Sequence, residues 1–391
     1  MSMTYSSTGV SYELMDPFKL AAQHAALETS GNITRLLGGT FRELAMSRGE
    51  SVFLIETPTS YLAHVVEGLG TKCRVADAMY RHTGKSYYGQ VAQCTVAMIV
   101  NDMVTLGALP LSVAMHIAVG SSDWFKDEQR SKDLIDGWKR ACDVTGCVWG
   151  GGETPTLQGI VVPGTVVLSG SAVGIIEPKS RLIKGVPHPG DRMVFVKSSG
   201  IHANGLTLAR SIAERKDGLR RSIANMLAPE HFPLEALPRG YMTLLSDGTT
   251  YGETLLEPTL IYVPLVEACL DAGVDIHYTI NVTGHGWRKL MRAQKSLTYV
   301  AERIPKPMPI FEFIQKHGPV DGREAYGNLN MGLGFVLFVT EADLGRVLEI
   351  ACALGFDAFE GGYVEAGDDE GKSVKILPLD LEFSGETLAV R

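Results

Sequence analysis

Asp102-Met-Val-Thr-Leu-Gly-Ala-Leu-Pro110 is the stretch from which the fold of this chain can be read. It closes a helical pattern over residues 88–106. In that pattern Val91, Cys94, Thr95, Met98 and Val104 recur on one face, and Gly107 stops the helix. Beyond Pro110, residues 111–119 read as a strand. Asn101 and Asp102 stand inside an otherwise apolar helix, where a carboxylate is costly unless it is paired or holds a metal ion. A bond to a nearby backbone amide meets the same need, so both readings stay open for this pair.

Toward the N-terminus, residues 51–55 and 61–66 form two strands around the turn Thr57-Pro58-Thr59, and Asp16-Pro17 marks a helix start. Toward the C-terminus, residues 123–145 are an amphipathic helix that Gly146 ends, and the Val-rich 160–176 segment reads as two buried strands with a turn. Lys184-Gly-Val-Pro-His-Pro-Gly-Asp191 is dense in turn formers and divides the chain into domains 1–186 and 187–391. In the second half, strands are expected at 193–197, 275–281, 333–340 and near 359–364. Helices are expected from about Asn204, over 259–272 and over 341–354, with a variable polar region at 217–247. Strands and helices mix without strict alternation, which predicts an α+β (mixed α/β) fold.

The 391 residues exceed one ordinary core, consistent with two domains. A net charge of −8 and the lack of Lys/Arg runs exclude an electrostatic footprint for nucleic acid. The first residues lack a basic and an apolar signal region, and glycines and Pro163 interrupt the longest uncharged stretch, so neither secretion nor a membrane span is expected. The six cysteines are scattered without a zinc pattern and read as buried thiols of a reducing cytoplasm. An anionic ligand must then be held by backbone amides, a few placed cations or a metal ion.

Such devices occur as glycine-rich turns at strand ends. Glu67-Gly-Leu-Gly-Thr-Lys72 lets the backbone approach phosphate oxygens through Gly68, Gly70 and Thr71, with Lys72 as a cation and Glu67 as a metal ligand. Gly150-Gly-Gly-Glu-Thr-Pro155 brings Gly152, Glu153 and Thr154 to a second turn. Ser198-Ser-Gly-Ile-His-Ala-Asn-Gly205 leads into a helix N-terminus, so Ser198, Ser199, Gly200, His202, Asn204 and Gly205 make an anion pocket. Thr283-Gly-His-Gly286 and Asn330-Met-Gly-Leu-Gly334 complete the set. Each turn taken alone also fits an ordinary strand-to-helix connection.

Together, in this order, the turns resemble the aminoimidazole ribonucleotide synthetase (phosphoribosylformylglycinamidine cyclo-ligase) family over roughly residues 5–377. Asp102–Pro110 matches its D-x4-G-A-x-P signature, 67–72 its D-G-V-G-T-K turn, 151–154 its G-G-E-T, and 198–205 its S-S-G-x-H-S-N-G loop. Residues 255–263 match L-L-x-P-T-x-I-Y-V, and 330–334 match N-x-G-x-G. The resemblance implies a homodimer whose N-terminal sheets pair, a C-terminal α/β sandwich, and ATP with Mg²⁺ near the interface. Asp102 and Glu67 would hold the metal. Asn101, Lys72, the 67–72 turn and Glu153 would line the nucleotide site, and 198–205 with Thr283 would face a phosphate-bearing substrate. The implied reaction phosphorylates the amide oxygen of formylglycinamidine ribonucleotide, and an amine nitrogen then closes the ring with loss of phosphate.

Four positions differ from that pattern. Glu67 and His116 each stand for an Asp, Asn281 for a His, and His285 for a Gly, while residues 38–41 match poorly. His116, Asn281 and His285 are therefore expected to converge at the reacting centre, with a histidine as proton carrier. Three functions fit these residues: the cyclo-ligase, a relative that activates another small molecule with ATP, and a non-catalytic nucleotide-binding dimer.

Overall fold

A computed structural model describes residues 3–214, 240–318, 320–367 and 371–388 of the chain. Six strands build the first sheet: β1 (Arg42–Glu43), β2 (Phe53–Glu56), β3 (Tyr61–Gly68), β4 (Leu109–Val119), β5 (Val148–Glu153) and β6 (Val166–Ile176). Their spatial order is β1-β2-β3-β6-β4-β5. All neighbours are antiparallel except β4 and β5. Side chains alternate between the two faces, and one face is covered by helices. The long helix α1 (Tyr12–Glu28) precedes the sheet, and α2 (Lys72–Thr83) and α3 (Tyr88–Met103) follow β3. Helix α3 lies against β3 and β6, and α4 (Glu128–Thr145) packs on α3.

The second sheet has seven strands: β7 (Arg192–Lys197), β8 (Ile276–Asn281), β9 (Leu297–Ala301), β10 (Leu333–Val339), β11 (Ala358–Ala366), β12 (Ser373–Ile376) and β13 (Leu381–Ser384). Its order is β13-β12-β9-β11-β7-β10-β8. Every residue of β10 is buried, which fits its place between β7 and β8. Helix α5 (Leu206–Ala213) and the helices Val263–Asp271, Pro309–His317 and Glu341–Ala353 accompany this sheet.

The mixed α/β expectation is met. The helix closed by Gly107 runs as α3 and a single 3-10 turn, Val104–Leu106, and Gly107 takes φ 87°. Several details differ. Helix α1 begins at Tyr12, so Pro17 sits inside it rather than at its start; the Met15 amide already bonds to the Ser11 carbonyl. Residues 123–145 break at Asp127, whose carboxylate caps α4. Only one strand, β6, forms in 160–176, because Pro163 and Gly164 make a turn and leave Ile160 and Val162 exposed. The helix expected from residue 259 starts at Val263, since Pro264 supplies no amide donor and suits a helix's first turn. The polar region expected at 217–247 lies outside the described residues up to 239. Strands β1, β5, β9, β12 and β13 are not among the expected elements, and Gly150–Glu153, expected as a turn, continues β5 along β4.

The two halves meet along a polar seam. Asn101 on α3 donates to the Leu260 carbonyl at 2.8 Å and accepts from the Tyr262 amide at 2.8 Å. Gln93 donates to the Thr259 carbonyl, and Thr279 on β8 donates to the Thr105 carbonyl. These bonds satisfy buried backbone groups of the extended 257–262 segment, which no helix or sheet would otherwise pair.

Candidate active site

Antiparallel register fixes which way each β3 side chain points. Glu67 is paired with Gly170, and Gly170 lies so close to Ile99 that a Cβ there would strike it, so Glu67 leaves from the helix-covered face. Asp102, in the last turn of α3, borders the same space. From the second half, β8 ends at Asn281, and the turn Thr283-Gly284-His285 runs into a 3-10 segment, Gly286–Arg292. These elements and α1 enclose a cleft of about 840 Å³. Glu67, Asp102, Asn204, Thr283, His285, Lys289 and Arg292 are among its lining residues.

The charges in this cleft are mutually dependent. Burial, followed by the charge of Asp102, raises Glu67 from the ordinary 4.5 to about 7. Burial likewise lowers Lys289 from 10.5 to about 8, although the charge of Asp102 partly restores it. Asn281 Nδ2 donates to Asp102 Oδ1 at 2.7 Å, and Lys289 Nζ donates to Thr283 Oγ1 at 2.6 Å. Arg292 braces the rim by donating to the Gly49 carbonyl at 2.7 Å and to Ser51 Oγ at 2.8 Å. Arg292 also lies 3.6 Å from Glu50 on the cleft wall. The carboxylates of Glu67 and Asp102 beside the Lys289 ammonium, opened to solvent on one side, suit a polyanion with a divalent cation.

His285 sits on the α1 side. Its ring stacks on Tyr12 with centroids 3.8 Å apart, and its Nε2 lies 3.8 Å from Asp16 Oδ2 without a hydrogen-bond partner. Burial, followed by the Arg288 charge, lowers it to about 3, so it is neutral at physiological pH. It also adopts φ 70°, a left-handed conformation that glycine takes more easily.

The remaining sequence candidates divide. His116 is paired with Ser169, beside Gly68, on the opposite face of the sheet from Glu67; its Nδ1 lies 2.9 Å from Ser169 Oγ. The structure thus brings His285 to the cleft and Asn281 to the Asp102 carboxylate that borders it, and leaves His116 outside, because period-two alternation turns neighbouring residues to opposite sides. Lys72 does not reach the cleft either. It is fully buried, and its ammonium donates to the carbonyls of His202 (3.0 Å) and Glu257 (2.7 Å) across the seam. Asn101 is likewise part of that seam. Gly70 and Thr71 lead into α2, and Thr71 Oγ1 is 3.5 Å from Thr207 Oγ1.

Gly152, Glu153 and Thr154 lie exposed at the end of edge strand β5. Gly152 permits that pairing, since a Cβ there would run into the Met115 carbonyl. In the 198–205 loop the hydroxyls are used internally: Ser198 donates to the Gly200 carbonyl, and Ser199 to the Pro258 carbonyl. His202 Nε2 accepts from the Ser199 amide at 3.2 Å, and burial with the nearby Lys72 charge lowers His202 to about 3. Gly205 takes φ 87° at the start of α5, and Asn204 reaches the cleft. Gly334 of the last turn is a packing glycine, because a Cβ would collide with the Tyr262 hydroxyl. Ser198 also borders a second cleft of about 860 Å³, whose Lys197 is paired with Asp357 at 2.6 Å.

Comparison with known proteins decides the kinship. The family described as AIR synthase related protein matches with its N-terminal domain over residues 48–176 and with its C-terminal domain over 188–375. This chain belongs to the AIR synthase related family. A phosphoribosylformylglycinamidine cyclo-ligase of Myxococcus xanthus is 33% identical over 380 residues, covering 96% of this chain and 99% of the relative. One from Symbiobacterium thermophilum is 34% identical over 387 residues, covering 96% and 98%. Among solved structures, the hydrogenase maturation protein HypE in complex with ATP superposes with TM-score 0.53 at 14% identity, over 83% of this chain and 84% of that one. T. maritima PurL complexed with ATP gives TM-score 0.52 at 13% identity, over 87% of this chain and 46% of that one. At such identities these two establish the shared fold.

Lys289, Arg292 and Tyr12 are not singled out by the sequence, and Asp16 is read there only as a helix start. A signal for the first two exists: Trp287-Arg-Lys-Leu-Met-Arg292 carries three cations just after a glycine turn. For Tyr12 and Asp16 no local signal exists, because only the tertiary path of α1 brings them to the cleft.

Proposed function

We propose that this member of the AIR synthase related family is an ATP-dependent cyclo-ligase that converts formylglycinamidine ribonucleotide to aminoimidazole ribonucleotide, ADP and phosphate in cytoplasmic purine synthesis. One observation carries the reading: the chain is collinear, end to end, with proteins bearing that activity. The cleft between the halves adds chemical support. An amide oxygen is a poor leaving group until it is phosphorylated, so the work of the site is positioning and charge neutralisation.

Mg²⁺ fits the donor set. Glu67 and Asp102 offer hard carboxylate oxygens; burial, followed by the charge of Asp102, lifts Glu67 to about 7, and a divalent cation would offset both. When bound, it neutralises phosphate charge. The chain's own residues do the rest. Asn281 fixes one oxygen of Asp102, leaving the other to point elsewhere. Lys289, held by Thr283, presents a cation whose proton is readily shared because its pKa is near 8. Asn204, two residues before α5, lies at the same cleft and suits a phosphate-bearing substrate. The exposed end of β5, Gly152 to Thr154, suits a nucleotide that reaches the sheet edge.

A homodimer formed through the open face of the first sheet is part of this reading. Val66, Val148, Val167 and Val173 are exposed there beside His116 and Ser169, an apolar surface a monomer rarely leaves uncovered. Among the described residues no helix is long and apolar enough to cross a membrane.

The test is turnover by purified protein supplied with ATP, Mg²⁺ and formylglycinamidine ribonucleotide. Formation of ADP and aminoimidazole ribonucleotide in equal amounts is expected. ADP release that depends on some other substrate, without the imidazole product, would move the protein to a different reaction on the same fold.

A further inference from the structure

The segment 184–191 carries the chain from one sheet to the other, and the cleft uses none of it. Two of its residues meet a third from β8. His277 Nδ1 lies 2.8 and 2.9 Å from the two oxygens of Asp191 and 3.2 Å from Nδ1 of His188. His188 Nδ1 is 4.0 Å from Asp191 Oδ2, and the two rings meet at 81°. Backbone bonds hold the group in place. The His188 amide donates to Asp191 Oδ2 at 2.7 Å, and the Val186 amide donates to the His277 carbonyl at 3.1 Å. Among the described residues this is the one group of three His, Cys, Asp or Glu side chains gathered closely enough to share an ion.

A neutral imidazole has a single N–H. If His277 Nδ1 carries it, the proton is directed at Asp191. Nδ1 of His188 then faces a nitrogen with nothing left to donate or accept. If His277 Nδ1 lacks it, its lone pair faces a carboxylate oxygen at 2.8 Å. A single cation between them takes a lone pair from all three ligand atoms at once.

We propose that His188, Asp191 and His277 form a divalent transition-metal site of zinc type, which fastens the inter-sheet segment to β8. Metal–ligand bonds of about 2.0–2.1 Å in a tetrahedron give ligand–ligand edges of roughly 3.3 Å. The three edges through Asp191 Oδ2, 2.9, 3.2 and 4.0 Å, bracket that value. Imidazole with one carboxylate favours zinc, cobalt or nickel over magnesium. Asp275 Oδ2 lies 3.4 Å from the other nitrogen of His277, the outer carboxylate that orients a metal-bound histidine. His188 is exposed, leaving a side open for a water as fourth ligand.

The experiment strips full-length protein with EDTA and titrates it with Co²⁺, then with Zn²⁺. One equivalent is expected, with the visible absorption of tetrahedral Co²⁺, bleached by Zn²⁺, and a higher Tm when Zn²⁺ is present. His188→Ala, an exposed change that leaves the core intact, should weaken Zn²⁺ binding tenfold or more, on the scale of disrupted metal shells. His277→Gln should do the same, and His82→Ala, at the exposed end of α2, should bind like wild type. Equal binding by wild type and His188→Ala, or Co²⁺ uptake without a tetrahedral spectrum, would reduce the group to a hydrogen-bonded His–Asp pair and overturn the proposal.

Discussion

Asn281 Nδ2 donates a 2.7 Å hydrogen bond to Asp102 Oδ1, tying the end of β8 to the last turn of α3. Both residues are almost fully buried. The bond spans the two halves of the chain at the point where the cleft's charges gather. Asp102 therefore has one oxygen committed to positioning and a charge that acts on Glu67 and Lys289.

Asp102→Asn keeps the size of the side chain and removes that charge. Turnover should fall by about 10²–10³-fold, the range for losing one preorganised electrostatic group. The Tm should change little, since the substitution replaces a buried carboxylate by a neutral isostere. Activity and melting are to be measured on one preparation. Retained turnover with a clear loss of Tm would make Asp102 a structural acceptor only.

The paired carboxylates also predict a stability profile. Glu67 binds its proton more tightly when folded (about 7) than when unfolded (4.5), so between those values the native state holds more protons. Stability should therefore fall as pH rises from about 4.5 to 7, by at most roughly 3 kcal/mol. Lys289 runs the other way: its folded value, about 8, lies below the unfolded 10.5, so its contribution rises with pH between 8 and 10.5. Denaturant titrations across this range should show a minimum at pH 7–8. Glu67→Gln should flatten the acid limb, and Mg²⁺ with ATP should shallow it, by favouring the ionised carboxylate. An acid limb of equal slope in Glu67→Gln would assign it elsewhere.

His285 is held at φ 70° by its stack on Tyr12, and burial keeps it neutral. Replacing it by glycine relieves a strain of about 1 kcal/mol or more and forfeits a ring contact of about 0.5–1.5 kcal/mol. His285→Gly should thus unfold within about 1 kcal/mol of wild type. Its pH–rate profile near 6.5 should match that of wild type, because no proton leaves His285 there. A limb near 6.5 that vanishes in the variant would show that substrate binding raises this histidine into range.

How much of this was legible beforehand depends on the range of the interaction. The Gly107 stop, the Asp102 carboxylate and the β3 turn follow from local spacing. The direction of Lys72 does not. A lysine after a glycine turn reads as a phosphate ligand, yet here it satisfies two carbonyls from a segment more than 100 positions away. The same holds for 255–263, whose regular pattern reflects docking against Asn101 and Gln93 rather than ligand contact. His116 was placed with the cleft because the family pattern has an acid there. One residue of strand alternation puts it on the other face, beside Ser169.

That other face supports the last prediction. Val66 (66% exposed), Val173 (49%) and Val167 (45%) project from adjacent strands β3 and β6, and Val148 (64%) extends the patch on β5. Helices cover the opposite face, and among the described residues nothing covers these valines. If two sheets pair through them, burying each valine contributes about 1.5–3 kcal/mol, and a carboxylate in its place is both desolvated and repelled by its symmetry mate. Val66→Asp should convert a dimer to a monomer in light scattering after gel filtration, while the Tm of the monomer falls only modestly because Val66 is largely exposed in one chain. Val144→Asp, on the exposed side of α4, should leave the dimer unchanged. His116 would then lie at the two-fold contact, and His116→Ala should alter the dimer's dissociation more than ATP affinity. A wild-type protein that is monomeric at micromolar concentration would end the pairing idea and return His116 to a surface role.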